Sequence, residues 1–195
     1  MPALSIMGGD YRPQHEPMTQ ILLVAHAPLA SALLAVAQHV FAELGTSVRA
    51  IDVAPQDDST KVEGSIRSAL RDLLDNAARL AATAPEPEGE KLGEKLREKA
   101  SERMSEVLVL VDVFGATPCN AALAAADGLP VRVVTGVSVP MLWRVLGYAD
   151  KAMDELVLSA VAGAAQGAFH ASVSRRQNQN TLTSAHDHEH HHHQQ

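Results

Sequence analysis

From Gln20 onward the apolar positions follow two alternating rhythms. The uninterrupted run Ile21-Leu22-Leu23-Val24-Ala25 is apolar on both parities, which is what a strand covered on both faces requires. Residues 29–43 change to helical spacing. Val48, Ala50, Ile51 and Val53 predict a second strand. From about Ser59, residues Val62, Ile66, Ala69, Leu70, Leu73, Leu74 and Ala77 recur at three- and four-residue intervals, so a long amphipathic helix is expected there. Residues 107–111 predict a third strand, and Thr117-Pro118 opens a helix. Residues 131–134 predict a fourth strand, 140–146 a short helix and 154–170 a final one. Strands that alternate with helices build βαβ units, whose right-handed crossovers place neighbouring strands parallel. The expected fold class is therefore α/β, an open, mainly parallel sheet with helices on both faces.

Three segments stand outside these rhythms. Residues 1–18 read as a disordered leader, and because Met18-Thr19-Gln20 directly precedes the first strand, Met18 is the expected start of translation. Residues 83–105 open Thr-Ala-Pro-Glu-Pro-Glu-Gly and continue with Glu and Lys at four-residue spacing, which reads as a solvated, charged insertion. Residues 174–195 are polar and end in a His-rich run that includes His186, His188 and His190, so a disordered tail is expected. Clustered imidazoles of this kind hold Zn²⁺ or Ni²⁺ weakly. No metal or other cofactor is otherwise called for. What remains, residues 19–173, is one domain.

Composition narrows the function class. The chain has 195 residues, 46% of them hydrophobic, which suffices for one core. A single Cys closes no internal disulfide, so a cytoplasmic setting is expected. Sixteen basic against 23 acidic residues give a net charge of −7, which opposes nucleic-acid binding. No apolar run is long enough to span a bilayer, and residues 1–17 lack a signal-peptide pattern.

In an open parallel sheet, ligands bind at the carboxyl ends of strands beside the point where strand order reverses. Two polar residues meet that condition, His26 after the first strand and Asp112 after the third. In a flavodoxin-like order 2-1-3-4 those strands are neighbours, so the two side chains converge on one crevice. Ala27 and Pro28 follow His26 with Pro28 expected at the first helical position, leaving free N–H groups behind it. Val113-Phe114-Gly115-Ala116-Thr117-Pro118 turns into a second helix start, with the Thr117 hydroxyl expected at the cap. A carboxylate that accepts from imidazole Nδ1–H leaves Nε2 as a free lone pair, which a nucleophilic histidine needs. Together these features point to covalent phosphohistidine chemistry.

Other candidates read as structural. Cys119 at a helix start would have a stabilised thiolate, and with His26 and Asp112 it would make a thiol hydrolase site; its place before an Ala-rich helix favours a packing role. His39 and His170 have no ligand-spaced partner. Trp143 reads as a half-buried helix residue, and Asp57-Asp58 as loop and cap chemistry.

The segments Ile21-Leu22-Leu23-Val24-Ala25-His26-Ala27-Pro28-Leu29-Ala30, Val111-Asp112-Val113-Phe114-Gly115-Ala116-Thr117-Pro118-Cys119-Asn120 and Thr135-Gly136-Val137-Ser138-Val139-Pro140-Met141-Leu142 occur in that order. Together they resemble the mannose-family EIIA component of the bacterial phosphoenolpyruvate-dependent sugar phosphotransferase system, across about residues 19–170. Ala27, Ala116 and Ser138 stand where that family more often carries Gly, Gly and Asn. The resemblance implies that His26 accepts a phosphoryl group from the phosphocarrier HPr and passes it to a separate IIB component. It implies that Asp112 orients His26, that Thr117 contacts the phosphate, and that Ala27, Leu29, Gly115, Ala116, Gly136 and Pro140 line the crevice. It also implies a homodimer. A regulatory module, whose phosphorylation at His26 controls binding to a target without sugar transport, uses the same residues and stays open at this point. The related phosphotransferase subunit of dihydroxyacetone kinase fits less well, because it lacks the Phe-Gly-x-Thr-Pro turn.

Overall fold

The computed structural model describes residues 19–41, 44, 47–83 and 106–171. The expected leader, the insertion at 84–105 and the His-rich tail lie outside the described residues. In chain order the elements are β1 (Gln20–His26), α1 (Leu29–Val40), β2 (Val48–Val53), α2 (Ser59–Thr83), β3 (Val107–Val111), α3 (Thr117–Ala126), β4 (Val131–Thr135), α4 (Val139–Gly147) and α5 (Met153–Gly167). All three strand pairings are parallel, and the sheet order is β2-β1-β3-β4, as the alternation of elements led one to expect.

The two central strands explain the two-sided apolar runs. Odd positions of β1 (Ile21, Leu23, Ala25) join Leu108 and Leu110 of β3 under α1, α4 and α5, where Leu33, Ala37, Met141, Leu142, Val145 and Leu156 close one core. Even positions (Leu22, Val24) join Val107, Val109 and Val111 beneath Ile66, Leu70 and Leu73 of α2 and Cys119, Ala122 and Ala125 of α3. Side-chain direction alternates along a strand, so a strand buried on both sides must be apolar at every position. The central strands are therefore held rigidly, and their carboxyl ends are a fixed platform for whatever follows them.

Two helix ends differ from the sequence pattern by more than one residue. Helix α1 ends at Val40, with the Phe41 amide still bonded to the Ala37 carbonyl, short of the expected 43. Helix α5 begins at Met153 and ends at Gly167; Ala168 is extended, and His170 lies beyond the helix. Gly167 is a weak helix former, and three small or polar residues before it leave that last turn little to bury. The start of α2 is as read: Asp58 Oδ1 accepts from the Lys61 amide at 3.0 Å, an N-cap bond, and Asp57 Oδ2 accepts from the Ala54 amide at 2.7 Å.

Candidate functional site

The register of the sheet brings the two polar strand ends together. Val24 pairs with Val111, so the chain beyond each strand emerges at one level, two residues on for His26 and one for Asp112. The imidazole Nδ1 of His26 lies 2.6 Å from Asp112 Oδ2, and the same oxygen accepts from the His26 backbone amide at 2.9 Å. Asp112 Oδ1 accepts from the Val113 amide at 2.8 Å. One carboxylate thus takes three hydrogen bonds, two of them from rigid backbone. Its side chain is 11% exposed, whereas that of His26 is 50% exposed.

The electrostatics of Asp112 fix the state of the ring. Burial, the strongest influence on this carboxyl, pushes its pKa up. The hydrogen bonds from the His26 amide, the His26 ring and the Val113 amide, with the attraction of the His26 charge, together outweigh it and hold the group below its ordinary value. Asp112 is therefore ionised at neutral pH. An ionised carboxylate only accepts, so the contact requires the proton on Nδ1. Nε2 then carries a free lone pair on a half-exposed ring. The pair makes a positioned nucleophile.

The two helix starts around this pair differ from expectation and from each other. In α1, Pro28 is the N-cap rather than the first helical residue, because its carbonyl accepts the first helical bond, from the Ala32 amide at 3.1 Å. The Ala27–Pro28 peptide is cis. The third amide of α1, that of Ser31, is not free for an anion: it donates to Asp52 Oδ1 at 3.1 Å. In α3 the cap is Ala116, not Thr117, since the Ala116 carbonyl accepts from the Asn120 amide at 2.9 Å. Thr117 is the first helical residue, exposed, with Pro118 behind it. No side chain caps α3, and among the described residues no acceptor meets the amides of Thr117 or Cys119.

The remaining expected residues are placed as follows. Ala27, Leu29 and Gly115 are exposed beside the pair, and Ala116 is half-buried. Gly136 leaves β4 at φ 85, and its amide donates to the Asp112 carbonyl at 2.9 Å, while the Val137 amide donates to the Val111 carbonyl at 2.9 Å. This loop therefore folds across the end of β3. Pro140 is set differently: its ring packs against Gly167 of α5, where an added Cβ would come within 2.6 Å of it, so it braces α4 against α5. Cys119 is fully buried in the core between α2, α3 and the sheet, which takes away the accessible thiol that the hydrolase reading needs. His39 and His170 are exposed, and Trp143 is 43% exposed on α4. Among the described residues no group of His, Cys, Asp and Glu could hold a metal ion. His186, His188 and His190 lie outside them.

Sequence reasoning missed two neighbours of the pair. Asp52 stands at the end of β2, and the strand-end rule that singled out His26 and Asp112 would have found it. Val113, 51% exposed, and Phe114, 76% exposed, present apolar surface directly after Asp112. An aromatic in a turn between a buried strand and a buried helix was the available signal.

Comparisons with known proteins agree with the resemblance carried by the motifs. The family model described as PTS system fructose IIA component matches residues 75–161, a span that holds Asp112, Thr117 and Gly136 but not His26. No curated protein matches the chain in sequence. Among solved structures, the mannose/sorbose-specific IIA subunit of the phosphotransferase system from Enterococcus faecalis is 19% identical at a TM-score of 0.59, covering 81% of this chain and 98% of that one. The PTS IIA protein associated with the fucose utilization operon of Streptococcus pneumoniae is 24% identical at 0.57, covering 78% and 93%. Phosphotransferase system component EIIA from Streptococcus agalactiae is 19% identical at 0.56, covering 78% and 97%. At these identities the likeness to the solved structures is one of fold. The chain resembles the mannose-type IIA components in motif order, in the matched span and in architecture.

Proposed function

We propose that this protein is a IIA-type phosphocarrier of the sugar phosphotransferase system, taking a phosphoryl group from HPr onto His26 and passing it to a IIB component. The observation that carries this reading is the 2.6 Å contact between His26 Nδ1 and a carboxylate whose other bonds are made to backbone amides. In the forward step the Nε2 lone pair attacks phosphorus, the N–P bond forms, and the bond from phosphorus to the donor's leaving atom breaks with its electrons going to the donor. The Nδ1 proton stays in place. The ring becomes positively charged, and Asp112 stabilises that charge without accepting the proton. Transfer to the acceptor reverses the same steps. Phosphoryl transfer asks chiefly for positioning and charge stabilisation, which this small set of groups supplies. The amide and the hydroxyl of the exposed Thr117 are suited to the phosphoryl oxygens.

A protein donor fits the setting better than a small molecule does. The nucleophile is half exposed, and Leu29, three residues after it, and Val113 and Phe114, directly after Asp112, are exposed apolar residues of the kind a transient docking face uses. Among the described residues no helix is long and apolar enough to cross a membrane. A cytoplasmic homodimer is the assembly this reading favours.

The test is to mix the protein with phosphoenolpyruvate, enzyme I and HPr and to weigh the intact product. One acid-labile phosphate on the wild type and none on His26→Ala is the expected result, because this mechanism gives the acceptor role to His26 alone. A phosphate retained by His26→Ala, or a folded wild type that takes none, would overturn the proposal. Transfer onward to a IIB protein separates the transport role from a regulatory one.

A further inference from the structure

Strands β2, β1 and β3 lie side by side, and each flanking strand has a carboxylate at or just past its carboxyl end, Asp112 bonded to His26 itself and Asp52 to the chain after it. Asp112 holds the His26 amide and ring. Asp52, whose register partner is Ala25, accepts from the Ser31 amide in the first turn of α1. Between them the Ala27 amide donates to the Val53 carbonyl at 2.9 Å. The stretch from His26 to Ser31 is therefore tied to its neighbours at three amides, one on the β3 side and two on the β2 side.

Nothing within α1 replaces the Asp52 bond. The N-cap is Pro28, whose side chain accepts nothing, and the Ser31 hydroxyl donates to the Pro28 carbonyl at 3.0 Å instead of serving an amide. The carboxylate also fills the electropositive end of α1. The start of α3 has no such partner. The two helix starts that face the crevice are thus unequal: one already carries a negative charge and the other does not.

We infer that Asp52 is a positioning residue of this site, resting on the phosphocarrier reading above. It pins the first turn of α1 so that the chain leaving His26 is held from both sides, and its charge weakens the hold of the crevice on a phosphoryl group, which keeps that group transferable and directs it towards α3. A fixed negative charge beside a phosphoryl dianion raises the energy of the phosphorylated state.

Two variants separate the bond from the charge. Asp52→Asn keeps an acceptor oxygen for the Ser31 amide and removes the charge; Asp52→Ala removes both. Hydrogen exchange at the Ser31 amide is expected to speed up about tenfold or more in Asp52→Ala and to stay near wild type in Asp52→Asn. With HPr as donor, the equilibrium constant for charging His26 is expected to rise roughly three- to tenfold in Asp52→Asn. A purely structural aspartate would leave the charging equilibrium of Asp52→Asn unchanged, and that result overturns the inference. Ser31 exchange unaltered in Asp52→Ala overturns the pinning. The exchange reading uses no phosphate, so it stands or falls separately from the phosphocarrier reading, which fails only if the wild type itself cannot be charged.

Discussion

The ends of β1 and β3 lie side by side and are built in opposite ways. β1 ends in a side chain that is half exposed and held by one bond through Nδ1; β3 ends in a carboxylate that is 11% exposed and holds three donors. The exposed end is the one that must meet another molecule. The covered end is the one that must not move, because its position sets which ring nitrogen carries the proton. A site made from two equally exposed groups would let the ring flip and lose its tautomer. One made from two equally buried groups would close the nucleophile to a protein donor. The difference therefore divides the work: β3 supplies orientation and β1 supplies reach.

Removing the reaching end with His26→Ala is expected to eliminate phosphorylation outright, the largest effect of any variant. The next largest effect is expected from Asp112→Asn. The amide keeps the size of the carboxylate, but it presents an N–H₂ group as well as an oxygen. If the oxygen stays with the His26 and Val113 amides, the N–H₂ meets Nδ1 and favours the tautomer with its proton on Nε2, where no lone pair remains. Charging by HPr is expected to slow by about 100-fold or more, with circular dichroism and thermal unfolding showing a retained fold. A rate within twofold of wild type would show that the orienting end is dispensable and that the comparison between the two ends has no chemical meaning.

Much of this arrangement was legible in the sequence, for a physical reason. Two-sided burial forces every position of β1 and β3 to be apolar, so a His or Asp at the end of such a run stands out, and the topology of alternating strands and helices then places both at one crevice. The helix starts were less legible. Whether Pro28 or Leu29, and Ala116 or Thr117, opens a helix depends on which carbonyl accepts the first bond, and single residues do not decide that. Asp52 could have been singled out by its place near the end of β2, but its partner, the Ser31 amide, carries no sequence signal of its own. Pro140 belongs to the same motif as Gly136, yet its direction is set by the close approach of α5, which only the packed structure reveals. The leader, the insertion and the tail were read by composition alone and fall outside the described residues.

The orienting end is also braced from behind, and that brace can be loosened without touching either reactive group. Gly136 adopts φ 85 while its amide holds the Asp112 carbonyl, and a Cβ added there would meet no atom within 4 Å. A substitution is therefore penalised by backbone conformation alone. Gly136→Val is expected to lower stability by about 1–3 kcal/mol, because a β-branched residue at positive φ is strained. Chemical denaturation would measure it. Gly136→Ala should cost less than Val, since the Ala side chain is unbranched. Equal losses for both would mean that branching adds nothing to the strain any Cβ meets at positive φ, and no loss would show that the loop relaxes without disturbing the end of β3.

The smallest expected effect reads the charge of the orienting end through the fold. The Asp112 carboxyl titrates below its ordinary value in the folded protein, since its three donors and the His26 charge outweigh burial. A depressed carboxyl contributes stability that is fully present above the unfolded value, about 3.9, and is lost as pH falls through the lower folded value. Below that window Asp112 binds a proton in either state, and its contribution is gone. Asp112→Asn has no proton to gain. Urea midpoints measured from pH 6 down to pH 3 should therefore fall more steeply below about pH 4 in the wild type than in Asp112→Asn. Near neutral pH the wild type should be the more stable of the two. Parallel acid limbs would mean that folding does not lower the Asp112 value, so that the amides of His26 and Val113 and the His26 ring together do no more than offset burial.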